Sequence, residues 1–401
     1  MQKLISQKSN KYMKEKFLIF FLVYFPLAPI LTSIFKLSLF GFSFWDTEFP
    51  FGVFSVLFIA NNIKKKQKDI FLVILFIAVL LIICGVRANI FGENFSKLLF
   101  KSWYLFFPFF IFSSFSTIKF KYYKTIKLVI ISQIVFHGTI GFLHYLGLPT
   151  YEITGTSHVE MGRYEGIYGA SNVYSNYLFT FYLIYILLLR KIQLMWAFTS
   201  LLVFGGIVVS GSRGPLILFI IVNVFFILGA FKVKKRLLSF SILTLVILSS
   251  LGSMKSLLTN NNFKESRITQ KGFDINVRSD KNALAVDGLL SSFNSFMFGL
   301  KKNQIISKSG IEVSDNSLTL IATAYGVIIL FFWLFFIKRL SKIKYSYIFN
   351  IRGAFLVFPL LFIFVANNSV LWLPWVYISI FGIYLLKSEF LKEEIDSQNS
   401  N

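Results

Sequence analysis

Two arginines stand in short polar links beside the starts of apolar helices, a setting in which a guanidinium binds an anion. Arg213 lies in Ser210-Gly211-Ser212-Arg213-Gly214-Pro215 between two apolar runs, so it sits at or just within a membrane boundary. A charge there is costly unless it faces a cavity or a partner. Pro215 suits the first turn of the following helix, and Ser212 or Gly214 can cap it. The link thus sets an arginine beside the positive end of a helix, and the two together bind phosphate oxygens well. Arg163 repeats the arrangement: Arg163-Tyr164-Glu165-Gly166 precedes Gly169-Ala170-Ser171-Asn172, where Ser171 or Asn172 can cap another helix. A third helix start, Val313-Ser314-Asp315-Asn316-Ser317, carries a carboxylate that either caps the helix or acts as a base. If the three helices pack around one cavity, it holds several oriented dipoles, two arginines and one or two acids, Asp315 and Glu165. That set suits a diphosphate leaving group with a proton acceptor beside it.

The elements that position these residues are membrane helices. The chain has 401 residues, 56% hydrophobic, 19% aromatic and 15% charged, which excludes an ordinary soluble domain. Twelve apolar segments meet the length rule for crossing a bilayer: near 17–35, 49–61, 70–86, 98–116, 128–147, 171–189, 192–209, 215–231, 237–254, 317–337, 353–367 and 370–386. Segment 49–61 is the weakest; its apolar part is short, and a re-entrant hairpin fits it as well. A net charge of +23 raises nucleic acid as a partner. The lysines, however, sit in short clusters between apolar runs, with no basic face or stacking motif, so nucleic acid is excluded.

Charge sets the orientation. With the N-terminus in the cytoplasm, 26 of the 41 basic and 6 of the 18 acidic residues fall inside, a net +20 against +3 outside. Both termini are then cytoplasmic, residues 1–401 form one integral membrane domain, and 387–401 is a polar, frayed cytoplasmic tail. No cleavable signal peptide is evident, and the first helix is expected to stay as an anchor. Residues 255–316 form a long extracytoplasmic loop between helices 9 and 10, and loops of that length are usually functional or disordered. Within it, Val286, Leu289, Leu290, Phe293, Phe296 and Met297 recur at helical spacing, the mark of an amphipathic helix that lies on the membrane surface or caps a cavity.

Five of the nine arginines, Arg87, Arg163, Arg213, Arg267 and Arg278, fall on the outer side, whereas lysine dominates inside. The planar fork of arginine binds phosphate in a bidentate way that lysine does not match. For Arg87 and Arg267 an interfacial ion pair or a snorkelling side chain is the plainer reading. His137 and His144, with His158 and Glu160 nearby, lack the spacing that enforces a metal site, and no nucleotide-binding or nucleophile motif is present, so neither metal nor cofactor is expected. Cys84 reads as a packed thiol. Gly205, Gly206, Gly211 and Gly214 read as sites of close helix approach.

At these residues the chain resembles the O-antigen polymerase and O-antigen ligase superfamily. The motifs are Arg163-x-x-Gly166 with Asn172; Ser210-Gly211-Ser212-Arg213-Gly214; Arg278 ahead of the amphipathic helix and Phe298-Gly299; and Asp315-Asn316-Ser317-Leu318 with Gly326 beyond. They span roughly residues 155 to 340. Asp315 stands where the ligase branch carries a histidine before the asparagine, which favours the polymerase branch. The resemblance implies a GT-C-like, all-α polytopic fold in the cytoplasmic (inner) membrane and metal-independent transfer of a glycan from undecaprenyl diphosphate to a lipid-linked repeat unit. It also implies diphosphate contacts from Arg163, Arg213, Arg278, Asn172, Ser212 and Asn316, with Asp315 or Glu165 as the base. A flippase and a chain-length regulator are the protein partners that it implies. The rival readings are a ligase, acting on a lipid or protein acceptor, and a flippase for lipid-linked glycans.

Overall fold

A computed structural model describes residues 2–37, 48–63, 67–115, 120, 122–145, 171–189, 194–230, 276–301, 317–341, 351–366 and 373–398, at some helical positions for the backbone alone. Every regular element among the described residues is helical. In chain order they are α1 (Gln2–Phe35), α2 (Phe49–Ile63), α3 (Gln67–Phe91), α4 (Phe95–Lys101), a 3-10 turn (Ser102–Leu105), α5 (Phe107–Phe115), α6 (Tyr123–Tyr145), α7 (Ser171–Leu188), α8 (Leu194–Ser210), α9 (Arg213–Ala230), α10 (Asn276–Leu290), α11 (Phe293–Phe298), α12 (Ser317–Tyr325), α13 (Val327–Ser341), α14 (Ile351–Ala366) and α15 (Leu373–Gln398).

One helix among the described residues is long and apolar enough to cross a bilayer by itself: Ile70–Phe91 in α3, with mean hydropathy 3.1 and a third of its length buried. Shorter apolar helices are Phe49–Ile59, Val173–Leu188, Leu194–Ser210, Gly214–Ile227 and Trp375–Ser388. Along α3, Phe71, Ile74 and Ile82 are exposed, a pattern that water does not tolerate on a whole helix but lipid does. With its aromatic core, this makes the protein membrane-associated.

The chain divides into two compact units, each assembled from separated stretches. The first comprises Met1–Asp46, Lys119–Phe273 and Phe349–Pro359, and holds α1, α6, α7, α8 and α9. There α6, α7 and α8 pack on one another, α9 joins α7 and α8, and α1 rests on α6. Glu15 of α1 is buried and accepts a hydrogen bond from Tyr122 N at 2.8 Å, which puts a carboxylate at the N-terminal end of α6, where the helix dipole favours it.

The second unit comprises Thr47–Ile118, Asp274–Ile348 and Leu360–Asn401. Its centre is α5, all nine residues of which are buried among α2, α13 and α15. Aromatic edges lock it in place: Phe107 meets Phe54 at 5.6 Å, Phe109 meets Phe76 at 5.1 Å, and Phe115 stacks on Tyr384 at 5.6 Å. Tyr384 also donates to Ser341 O at 2.6 Å, and Trp333 Nε1 to Leu105 O at 3.0 Å, so buried polar tips are satisfied by the ends of neighbouring helices.

Four boundaries differ from the sequence reading. Segment 98–116 is not one helix: α4 and α5 are separated by the 3-10 turn. Segment 317–337 is interrupted at Gly326, whose φ is +89°. α3 runs on through Arg87 to Phe91, because that charge finds buried partners and need not end the helix. The C-terminal stretch expected to fray is helical to Gln398, in keeping with its lysine, glutamate and leucine content. Segment 237–254, the loop residues 255–275 and 302–316, and residues 146–170 lie outside the described residues.

Candidate functional site

In the first unit, α7, α8 and α9 are joined by a seam of neutral hydrogen bonds. The Tyr182 hydroxyl pairs with Ser200 Oγ at 2.6 Å and donates to Asn223 Oδ1, while Asn223 Nδ2 donates to Phe219 O at 2.8 Å. All of these side chains are buried, so each group holds the others in place at the cost of an orphaned dipole if one leaves. Tyr182 also lies against Phe219, with ring centroids 5.1 Å apart.

The seam fixes the register of three helices. Tyr182 lies about three turns from the start of α7, Ser200 about three turns before the end of α8, and Asn223 about three turns after the start of α9. The N-termini of α7 and α9 therefore lie at the same end of the unit, roughly 15 Å from the seam. A second contact at the level of that end agrees. A Cβ on Gly206 would lie 2.5 Å from Leu178 Cδ2 and 2.7 Å from Tyr174 Oη, so these two side chains of α7 pack directly over the glycine of α8. Two positive dipole ends, at Ser171-Asn172 and Ser212-Arg213, thus share one end of one unit.

The link between α8 and α9 is shorter than its six-residue motif suggested. α8 runs to Ser210 and α9 begins at Arg213, so only Gly211 and Ser212 turn the chain. Gly211 takes φ +65°, which favours glycine, and its N–H donates to Val208 O at 2.9 Å. Ser210 Oγ donates to Ile207 O at 2.6 Å and accepts from Ser212 N at 3.3 Å. Ser212 itself is buried at the N-cap position of α9. Among the motif glycines, Gly206 does mediate close approach, Gly205 faces open space, and Gly211 serves the turn.

Asn176, which sequence reasoning passed over, lies one turn below position 172 on α7. It is 1% exposed, and neither its amide nitrogen nor its oxygen has a hydrogen-bond partner among the described residues. An unpaired buried carboxamide costs stability, so its presence calls for a reason other than packing. The signal was readable: Asn172, Asn176 and Thr180 recur every four residues in an otherwise apolar run. Nearby, His137 of α6 is buried and its carbonyl accepts from Tyr174 Oη at 3.0 Å.

A second polar centre lies in the other unit, at Arg87, which is 3% exposed. Its Nη2 donates to Glu93 Oε2 at 2.8 Å and to Leu300 O at 3.0 Å, and its Nη1 donates to Phe298 O at 2.5 Å. The interfacial ion pair expected from sequence is present, but it is a clamp rather than a surface decoration. It ties the C-terminal end of α3 to the strap that follows α11. Leu300 N in turn donates to Thr323 O at 2.8 Å, filling a carbonyl left free where α12 stops. Gly299 and Gly326, both at φ +89°, make room for this insertion: a Cβ on Gly299 would sit 2.6 Å from Thr323 O, and one on Gly326 2.0 Å from Met297 O. The Phe298-Gly299 and Gly326 motifs are therefore one structural feature. Leu289, Leu300 and Ala322 close it from the apolar side, with Val327 and Leu330 against them.

Of the residues singled out from sequence, Asn172, Ser212 and Arg213 belong to the shared end of α7 and α9, the side chains of Asn172 and Arg213 lying outside the description. Arg163 and Glu165 fall in the first unit's stretch of chain and Asp315 and Asn316 in the second's, all outside the described residues. Arg278 is placed by its backbone alone, in the first turn of α10. No family model, curated protein or solved structure matches this chain.

Proposed function

We propose that this protein is a multi-pass enzyme of the cytoplasmic membrane that polymerises a surface polysaccharide, transferring glycan from undecaprenyl diphosphate to a lipid-linked repeat unit at the outer face. The observation that carries the reading is the seam at Tyr182, Ser200 and Asn223, which brings the N-termini of α7 and α9 to one end. Two helix dipoles, with Arg213 opening one of them, form a strong receptor for a diphosphate. Ser212 and Asn172 stand at those helix starts, Arg163 lies eight residues before Ser171, and Arg278 opens the helix of the outer loop.

In this mechanism the acceptor hydroxyl oxygen attacks the anomeric carbon of the donor as the bond from that carbon to the phosphate oxygen breaks. The electron pair of that bond leaves on the diphosphate, where Arg163 and Arg213 stabilise it. Asp315, or Glu165 in its stead, takes the proton from the acceptor. Loss of such a stabilising donor costs roughly 100- to 1000-fold in rate. Arg213→Ala is therefore expected to abolish chain extension while the protein still inserts in the membrane; near-normal polymer from this variant overturns the reading. Glycan profiling of a strain lacking the gene separates the rivals. Single repeat units indicate a polymerase, unattached full-length polymer a ligase, and lipid-linked units trapped inside a flippase.

A further inference from the structure

The outer-loop helices α10 and α11 present two apolar faces, and only one is covered. Leu289 points inward against Leu300 and Ala322. Phe293 is 72% exposed and Leu290 66%, with Val286 and Phe296 exposed as well. The outward side chains cannot cap a cavity that the inward ones already close.

Depth is set by the Arg87 clamp. Arg87 lies one turn before the end of the apolar run Ile70–Phe91, and it binds the carbonyls of Phe298 and Leu300 directly. The strap after α11 is thus held at the level of the last apolar turn of α3, whose Ile90 is exposed, as is Phe95 at the start of α4. Uncovered apolar side chains at that depth continue the apolar surface of a membrane-spanning helix. Asn94 caps α4 by accepting from Lys97 N at 3.0 Å, so the turn that follows α3 is polar.

We infer that Val286, Leu290, Phe293 and Phe296 are immersed in the membrane interface at the C-terminal end of α3, so that the lipid surface is the partner of this face. The inference rests on the membrane reading of α3 and not on the catalytic proposal.

The experiment uses the full chain in bilayer vesicles, with an environment-sensitive fluorophore on one introduced cysteine at a time. The parent chain, whose Cys84 is buried, is the blank. Labels at Leu290→Cys and Phe293→Cys are expected to lose most of their fluorescence to lipids carrying a nitroxide near the headgroup, and little to aqueous iodide. A label at Ile82→Cys, exposed on α3, is expected to respond to a nitroxide near the acyl-chain end. If Ile82 behaves so but Leu290 and Phe293 respond to iodide, the face lies in water and the inference fails while the membrane reading stands. Protection of Leu290 and Phe293 from both quenchers means that protein covers them, which overturns the inference equally. Failure at Ile82 removes the membrane reading and the inference with it.

Discussion

The Tyr182 seam and the Arg87 clamp both join helices through buried polar groups, but the first uses only neutral side chains on three consecutive helices. The clamp uses a full charge and a backbone strap more than 200 residues away in sequence. In a low-dielectric interior neutral groups satisfy one another at modest cost, and hydrogen bonds between membrane helices are worth roughly 0.6 to 2 kcal/mol each. A buried guanidinium is tolerable only with a counter-ion and further acceptors. Glu93 and the carbonyls of Phe298 and Leu300 supply these here, the Arg87 Nε having no partner among the described residues. The seam therefore sets register; the clamp excludes alternatives, because any other arrangement leaves a charge stranded.

That contrast orders the expected effects of mutation. Gly326→Ala is expected to be the most damaging, since a Cβ meets the Met297 carbonyl and the residue sits at positive φ. A loss of roughly 4 kcal/mol or more should appear as lost folded yield in detergent. Arg87→Ala leaves Glu93 without its cation and two carbonyls without a donor, for about 3–5 kcal/mol by thermal unfolding; Arg87→Lys should restore only part of it, because one ammonium cannot reproduce the fork. If alanine there is neutral, the clamp is no clamp. Gly206→Ala is expected to cost about 1–3 kcal/mol, less than the clamp glycines, because the atoms it meets are side-chain ends that can shift. Tyr182→Phe removes the hydroxyl that serves Ser200 and Asn223, worth roughly 1–2 kcal/mol by the same measurement. Asn176→Leu has the smallest structural effect: stability unchanged or slightly raised, because an unpaired amide leaves the interior. Polymer yield should nonetheless fall; a variant that is both stable and fully active shows that Asn176 touches no substrate.

Legibility in the sequence followed the range of the interactions involved. α7 was anticipated at 171–189 and spans Ser171–Leu188, because its ends are marked by a capping pair and by Arg190-Lys191. The turn at Gly211 was visible as a motif, although its six residues shrank to two when Arg213 proved to be helical. By contrast, the break at Gly326 was hidden, since hydropathy runs through it and its cause, the inserted Gly299-Leu300 strap, lies elsewhere in the chain. Segment 70–86 stops short of Arg87 for the same reason: the partners that let the helix run on to Phe91 include carbonyls elsewhere in the chain. Asn176 was readable from spacing, but its lack of a partner was not.

The clamp also dictates an order of assembly. α3 is synthesised long before the strap of residues 298–300, so during most of translation Arg87 has no carbonyls to bind. Glu93, six residues on and still within 2.8 Å in the finished protein, is made at nearly the same moment and can hold the charge in the interval. The ion pair is then a placeholder that becomes one arm of the final junction. α12 and α13 follow the strap in the chain, so the break at Gly326 forms around a strap that is already made. A lesion that displaced the strap would leave Arg87 with Glu93 alone and the Thr323 carbonyl unmet, a species open to the cell's quality-control proteases.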